Sequence, residues 1–120
     1  MRLETFDTPE AWLEAGLAAF AAAARLARAV GQGSLDFCLA GGTTPAPLYQ
    51  ALAASEDFAQ ALRGPQALRG PQVSKALEPG LWLGDEREVP ADHAERNGRL
   101  VAEAFGQAPW PHSLHLWPPG

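Results

Sequence analysis

The sequence is poor in the residues on which several common functions depend. Its one cysteine cannot form an internal disulfide, and no Cys/His cluster has zinc-ligand spacing. Only 9 residues are Lys or Arg, against 14 Asp or Glu, so the formal net charge of −5 argues against general nucleic-acid binding. The alanine-rich stretch Ala15–Ala24 is too short and too weakly apolar to span a bilayer, and no signal pattern begins the sequence. We therefore predict a cytoplasmic protein that binds neither nucleic acid nor a membrane.

Helix and strand signals alternate along the 120 residues, which suffice for one small domain. The clearest is Thr8 before Pro9, a capping hydroxyl ahead of a proline that suits the first helical position. The predicted elements are, in order, a helix from Thr8-Pro9 to Gly31, a strand at Leu35–Ala40, a helix capped by Thr44, a strand at Leu81–Leu83, a helix capped by Asp92 with Glu95 and a strand at Leu114–Trp117. This order predicts a single α/β domain over residues 1–120, with a three-layer, mostly parallel sheet flanked by helices.

Residues 55–80 have the weakest pattern, and we predict an irregular loop there. Residues 61–66 and 67–72 are the same hexapeptide, Ala-Leu-Arg-Gly-Pro-Gln, in tandem. Gly-Pro breaks both helices and strands, and six residues are too few for a solenoid repeat. We interpret the duplication as a surface loop. The alternative is a lid that carries Arg63 or Arg69 to an anion.

Two turns that follow predicted strands carry the residues that indicate ligand binding. In Gly41–Thr44 the glycines let the backbone approach a ligand, and the next helix offers free N–H groups to an anion. Asp85–Arg87 adds two carboxylates and a guanidinium, which suits binding to phosphate, carboxylate or an oxyanion. Because the carboxyl ends of parallel strands meet at one sheet edge, these turns predict one site for a phosphorylated small molecule. A dinucleotide fits less well, since the G-x-G-x-x-G spacing is absent.

Three motifs in this order and spacing are specific as a set. They are Leu39–Pro45, Trp82–Arg87 with Val89-Pro90, and Asn97 leading into Arg99–Val101. With them the chain resembles the amino-terminal half of the 6-phosphogluconolactonase family, which shares a superfamily with glucosamine-6-phosphate deaminases and ribose-5-phosphate isomerases. The resemblance implies half of a sugar-phosphate isomerase/deaminase-like fold. It also implies hydrolysis of 6-phosphogluconolactone to 6-phosphogluconate, a step of the pentose phosphate pathway that needs no cofactor and no metal.

The resemblance also implies roles for individual residues. Asp85 and Arg87 would be the catalytic pair that faces the sugar, while Glu86 would mainly orient its neighbours. The residues implied to bind phosphate or substrate are Gly41, Gly42, Thr43, Thr44 and Asn97.

The sequence departs from the family pattern in two respects. Family members carry a later Gly-His segment, followed by Ser-Leu-Phe-Pro, whose histidine is thought to be the general base. None of His93, His112 and His115 lies in such a segment. Arg96 stands where the family usually has serine, so a long cation is placed beside Asn97.

These departures leave two functional hypotheses open. The chain is either a lactonase-like hydrolase or a truncated, catalytically weak module that binds sugar phosphates. Deamination or isomerisation of an aminosugar phosphate fits less well, because Arg87 and the following Val-Pro match the lactonase pattern better.

Further expectations concern burial and assembly. Cys38, Trp82 and Trp117 lie in apolar runs and are predicted to be buried, and His115 is predicted to face away from its leucine neighbours. Three parallel strands leave an open edge, so we predict a homo-oligomer, a dimer in the simplest case, that associates through an edge or an apolar face.

Overall fold

The structure is a computed structural model that describes residues 3–41, 43–64, 77–84, 86, 93 and 96–116. Within these ranges the elements are α1 (Pro9–Ala29), β1 (Leu35–Leu39), α2 (Ala46–Ala53), α3 (Glu56–Arg63), β2 (Pro79–Leu83), α4 (Asn97–Phe105) and β3 (Ser113–His115). The three strands form one sheet in the order β1-β2-β3, and both pairs are parallel. The predicted α/β class with a parallel sheet is confirmed.

The core lies on one face of this sheet. Leu35 and Leu39 of β1 and Leu81 and Leu83 of β2 are buried there, in one cluster with apolar residues of all four helices. Phe58 of α3 is fully buried at its centre. Right-handed crossovers that run from β1 to β2 and from β2 to β3 in the same direction place their helices on the same face. The described elements therefore make up a sheet and one helical layer, which are two of the three predicted layers.

The opposite face of the sheet is accessible in the described part of the chain. Asp36 and Cys38 of β1 and Trp82 of β2 alternate with the core leucines, and Trp82 is 47% exposed. The predicted burial of Cys38 and Trp82 is therefore wrong, because an apolar run in a strand supplies side chains to both faces. Trp117 lies outside the described residues. His115 faces away from Leu114 as predicted, and its ring stacks on Trp82 with 3.7 Å between the ring centres.

The first helix follows its local signals closely. Thr8 is the N-cap of α1, and its hydroxyl accepts a hydrogen bond from the Ala11 amide at 3.1 Å. Pro9 occupies the first helical position, and Gly31 lies just past the helix with φ = 73°, a conformation that glycine adopts without strain. No helix in the described ranges combines the length and the apolar character that a membrane crossing requires.

The prediction of an irregular loop over residues 55–80 is wrong for residues 56–63, which form α3. Ser55 caps this helix by accepting a hydrogen bond from the Phe58 amide at 3.1 Å. Phe58 and Leu62 turn one face of α3 into the core, so burial rather than the weak local pattern stabilises the helix. Residues 61–63 of the first hexapeptide copy are the last three residues of α3, and Gly64 follows with φ = 81°. The second copy lies outside the described residues.

Candidate functional site

The two turns predicted to form the site begin side by side. The register places Leu39 opposite Leu83, and the Gly84 amide donates a hydrogen bond to the Leu39 carbonyl at 2.9 Å. A Cβ on Gly84 would lie 3.0 Å from the Cys38 sulfur and 3.3 Å from the Leu39 oxygen, so only glycine fits without a shift. The segments that leave β1 and β2 therefore start at the same sheet edge, as parallel pairing requires.

The glycine turn leads directly into α2, although not through the predicted cap. Helix α2 begins at Ala46, and its N-cap is Pro45 rather than Thr44. Proline has no side-chain acceptor, so within the described residues no side chain caps this helix, and Thr44 lies one position too early to do so. Thr43 and Thr44 are both exposed. Because positions 45 and 47 are prolines, the start of α2 presents fewer backbone N–H groups than usual, together with two accessible hydroxyls at the sheet edge.

Tyr49 connects α2 to the residue that precedes the turn. Its hydroxyl donates a hydrogen bond to the Ala40 carbonyl at 2.9 Å. Burial raises the pKa of Tyr49 above its ordinary value. The side chain is therefore a neutral hydrogen-bond donor at physiological pH, and it ties the end of β1 to the middle of α2.

Asn97, the first residue of α4, lies against the glycine turn. Its side chain occupies the position where a Cβ on Gly41 would have to lie, so any side chain at Gly41 would displace it. Asn97 is only 3% exposed. Of the residues predicted to bind the ligand, the structure thus brings Gly41 and Asn97 into direct contact, close to Thr43 and Thr44 in the chain.

Glu86 caps the N-terminus of α4. One carboxylate oxygen accepts a hydrogen bond from the Asn97 amide at 2.6 Å, and the other accepts one from the Gly98 amide at 2.6 Å. The second oxygen also lies 3.1 Å from Nε of Arg96, and the two charged side chains are 5% and 6% exposed. A carboxylate at a helix start satisfies free N–H groups and interacts favourably with the helix dipole.

The predicted start of this helix is therefore wrong. Helix α4 begins at Asn97 with Arg96 as its N-cap, rather than after Asp92. Arg96 has no side-chain acceptor for the cap, so Glu86, ten residues earlier in the chain, supplies one. The cation that the sequence places beside Asn97 is thereby paired with a buried carboxylate. Sequence reasoning gave Glu86 only a general orienting role, because this pairing depends on the tertiary fold.

Some predicted residues lie outside the described part of the chain. They are Gly42, Asp85, Arg87, Asp92 and the Val89-Pro90 pair. Among the described residues, no group of three or more His, Cys, Asp and Glu side chains is arranged to hold a metal ion.

Two of the histidines are held in local contacts. The Nδ1 atom of His112 is 3.0 Å from the Trp110 carbonyl. His115 lies on the accessible face of the sheet, where its Nε2 atom is 3.0 Å from the Ser113 hydroxyl. His93 is exposed.

The chain is similar to one protein family and to solved structures of 6-phosphogluconolactonases. A model of the family described as glucosamine-6-phosphate isomerases/6-phosphogluconolactonase matches residues 7–118. A 6-phosphogluconolactonase structure from Shewanella baltica OS155 is 24% identical, with a TM-score of 0.61 over 92% of this chain and 41% of its own. One from Thermotoga maritima is 22% identical, with a TM-score of 0.55 over 85% of this chain and 40% of its own. Among curated proteins no sequence match was found. The structural likeness shows the fold, and the chain spans about two-fifths of the length of these neighbours.

Proposed function

The chain belongs to the family of glucosamine-6-phosphate isomerases and 6-phosphogluconolactonases, and from this membership we propose that it forms the phosphate-binding part of a 6-phosphogluconolactonase-like site. The reaction would be hydrolysis of the lactone ester by water. The general location is the edge where β1 and β2 end, since ligands of open parallel sheets bind beside the carboxyl ends of the strands. The proposed ligand is a sugar phosphate, and the proposed location of the protein is the cytoplasm. The proposed reaction uses no cofactor.

The contrast between two helix starts carries this proposal. The N-terminus of α4 is already occupied by the Glu86 carboxylate. The N-terminus of α2 has no side-chain cap and follows a glycine turn with the exposed Thr43 and Thr44. A free helix start attracts an anion, and hydroxyls add donors for phosphate oxygens. We therefore place the phosphate group at Gly41–Thr44 rather than at α4.

The proposed chemistry assigns Asp85 and Arg87 to the sugar ring. Both flank Glu86, whose carboxylate is held at the start of α4. A guanidinium near the lactone carbonyl would stabilise the oxyanion that forms when water attacks. Asp85 would interact with the ring of the bound sugar. These roles follow from family membership and from the position of the segment after β2.

We expect 6-phosphogluconate to bind at the glycine turn and Thr44→Val to weaken this binding at least about tenfold. The reason is that loss of a hydrogen bond to a charged group costs about 1.5–3 kcal/mol. Titration followed by backbone amide NMR shifts measures the effect. Thr5→Val, an exposed threonine near the start of the chain, is the matched control. Largest shifts around His112–His115 instead of the turn would contradict the assignment.

A second candidate function is a binding module that holds sugar phosphates without turnover. The observation in its favour is that two histidines are already held in other contacts, His112 with the Trp110 carbonyl and His115 with Trp82 and Ser113. Binding measurements cannot separate the two functions, because both use the same phosphate turn. The rate of lactone hydrolysis separates them.

We also propose that the chain self-associates through the accessible sheet face. Parallel sheets are almost always covered on both faces, yet here Trp82 is 47% exposed. Trp82→Ala should weaken dimer formation at least about tenfold, since a buried interface tryptophan contributes about 2 kcal/mol or more. Sedimentation velocity over the micromolar range measures this, with Trp12→Ala on α1 as the control. A monomeric wild-type chain at all concentrations would rule out the dimer, and an unaffected Trp82→Ala dimer would place the contact elsewhere.

A further inference from the structure

We propose that Glu86 is a positioning residue that ties the two turns of the site to each other. The tie runs from Glu86 to the start of α4 and from Asn97 to Gly41. It rests on the proposed function, because it concerns how the same site is held together. The resemblance gives Glu86 only a general orienting role, whereas the link through Asn97 to Gly41 comes from the geometry of this chain.

The first link joins the segment after β2 to α4. Glu86 stands in the chain between Asp85 and Arg87, the two residues that the proposed function assigns to the sugar ring. Two short hydrogen bonds of 2.6 Å hold it, one from the Asn97 amide and one from the Gly98 amide. The fit is close, because a Cβ on Gly98 would lie only 3.1 Å from the carboxylate.

The second link joins α4 to the glycine turn. The amide that donates to Glu86 belongs to Asn97, and the side chain of the same residue packs against Gly41. Asn97 is 3% exposed, so nearly all of its surface is covered by the rest of the protein. Movement of the Asn97 side chain would therefore change the packing around Gly41. Since Gly41 opens the phosphate turn, Glu86 acts on that turn through Asn97.

The charge of Glu86 is balanced within this arrangement. Arg96 lies 3.1 Å from the carboxylate, and the N–H groups at the start of α4 add partial positive charge. With 5% of its side chain exposed, Glu86 is placed to hold backbone groups rather than to meet a ligand. The pair therefore fixes the geometry of the site without adding net charge to it.

Glu86→Gln tests the tie, because glutamine keeps the size but replaces one acceptor oxygen with an NH₂ group. In the unliganded protein we expect displaced amide signals at Gly41 and Asn97. We also expect 6-phosphogluconate to bind at least about tenfold more weakly, measured at the Thr43 and Thr44 amides. Glu103→Gln is the matched control. Glu103 lies on the same helix and pairs with Arg99 at 2.9 Å, but this pair is exposed.

Two further variants keep the test decisive if Glu86→Gln folds poorly. Asn97→Ala breaks the contact with Gly41 but leaves the buried pair intact, and it should weaken the ligand to a similar degree. Glu86→Gln combined with Arg96→Ser removes the buried cation and places a capping hydroxyl before α4, so affinity should recover to within about threefold of wild type. Such rescue indicates positioning, because a loss of bulk stability alone would leave the affinity of the folded fraction unchanged.

The outcomes separate this inference from the proposed function. If the wild-type chain binds no 6-phosphogluconate, the proposed function fails, and the Gly41 signal in unliganded Glu86→Gln still reports on the tie. If wild type binds and folded Glu86→Gln binds equally well with an unmoved Gly41 signal, the tie is overturned. An equal loss of affinity in Glu103→Gln would overturn it as well.

Discussion

Hydrolysis of 6-phosphogluconolactone by this 120-residue chain should be at least about a hundredfold slower than hydrolysis by a full-length family member. General-base catalysis contributes roughly 10²–10⁴-fold, and the Gly-His segment that the resemblance associates with the base is not among these residues. Two of the described histidines are already held in other contacts. His115 stacks on Trp82 at the accessible sheet face, and His112 contacts the Trp110 carbonyl.

The measurement is the disappearance of the lactone, corrected for its spontaneous hydrolysis. Residual acceleration is expected, because a guanidinium at Arg87 can stabilise an oxyanion even when no base is present. A polypeptide with the family's remaining segment should restore activity when it is added, provided that the two parts associate. Full-length rates from this chain alone would contradict the prediction and would identify Asp85 or one of the histidines as the base. His93→Gln is then the first variant to assay, since His93 is exposed.

The parts of the fold that sequence predicts well are those governed by local signals. Thr8 and Pro9 set the start of α1 through a cap that needs only three residues of chain. The strands follow their apolar runs to within one or two residues, and their parallel pairing follows from the helices between them. Helix α3 was missed because its sequence runs into a Gly-Pro repeat, whereas burial of Phe58 and Leu62 fixes the helix.

The candidate site also combines features that local sequence signals predict with features that depend on the tertiary fold. Sequence placed Gly41 and Asn97 in one site, and the structure shows their side-by-side packing. The function of these residues stays a prediction. The cap of α4 was assigned to Asp92 because that residue has the right local spacing, while the actual acceptor, Glu86, is distant in sequence. Contacts between residues eleven and twelve positions apart, one of them outside any helix or strand, leave no periodic signal in the sequence.

The buried pair of Glu86 and Arg96 should also dominate the stability of this region. Arg96→Met is expected to lower the free energy of unfolding by about 3 kcal/mol or more, because it removes the Arg96 partner of a buried carboxylate. Arg99→Met is the matched control. Arg99 pairs with Glu103 at 2.9 Å on the same helix, but with 45% and 62% of the side chains exposed. Its loss should cost only about 0.3–0.5 kcal/mol, as for other exposed pairs on helices.

Urea unfolding of the three proteins measures this difference. The midpoint should fall for Arg96→Met with an unchanged slope, which indicates lost stability rather than a changed unfolded state. Since small domains have only about 5–15 kcal/mol of stability in total, a loss of 3 kcal/mol is easily resolved. Combining Arg96→Met with Glu86→Gln should recover part of the loss, because the double variant no longer buries the Glu86 charge after its Arg96 partner is removed. Equal midpoints for Arg96→Met and Arg99→Met would mean that the hydrogen bonds from the Asn97 and Gly98 amides alone stabilise the Glu86 carboxylate.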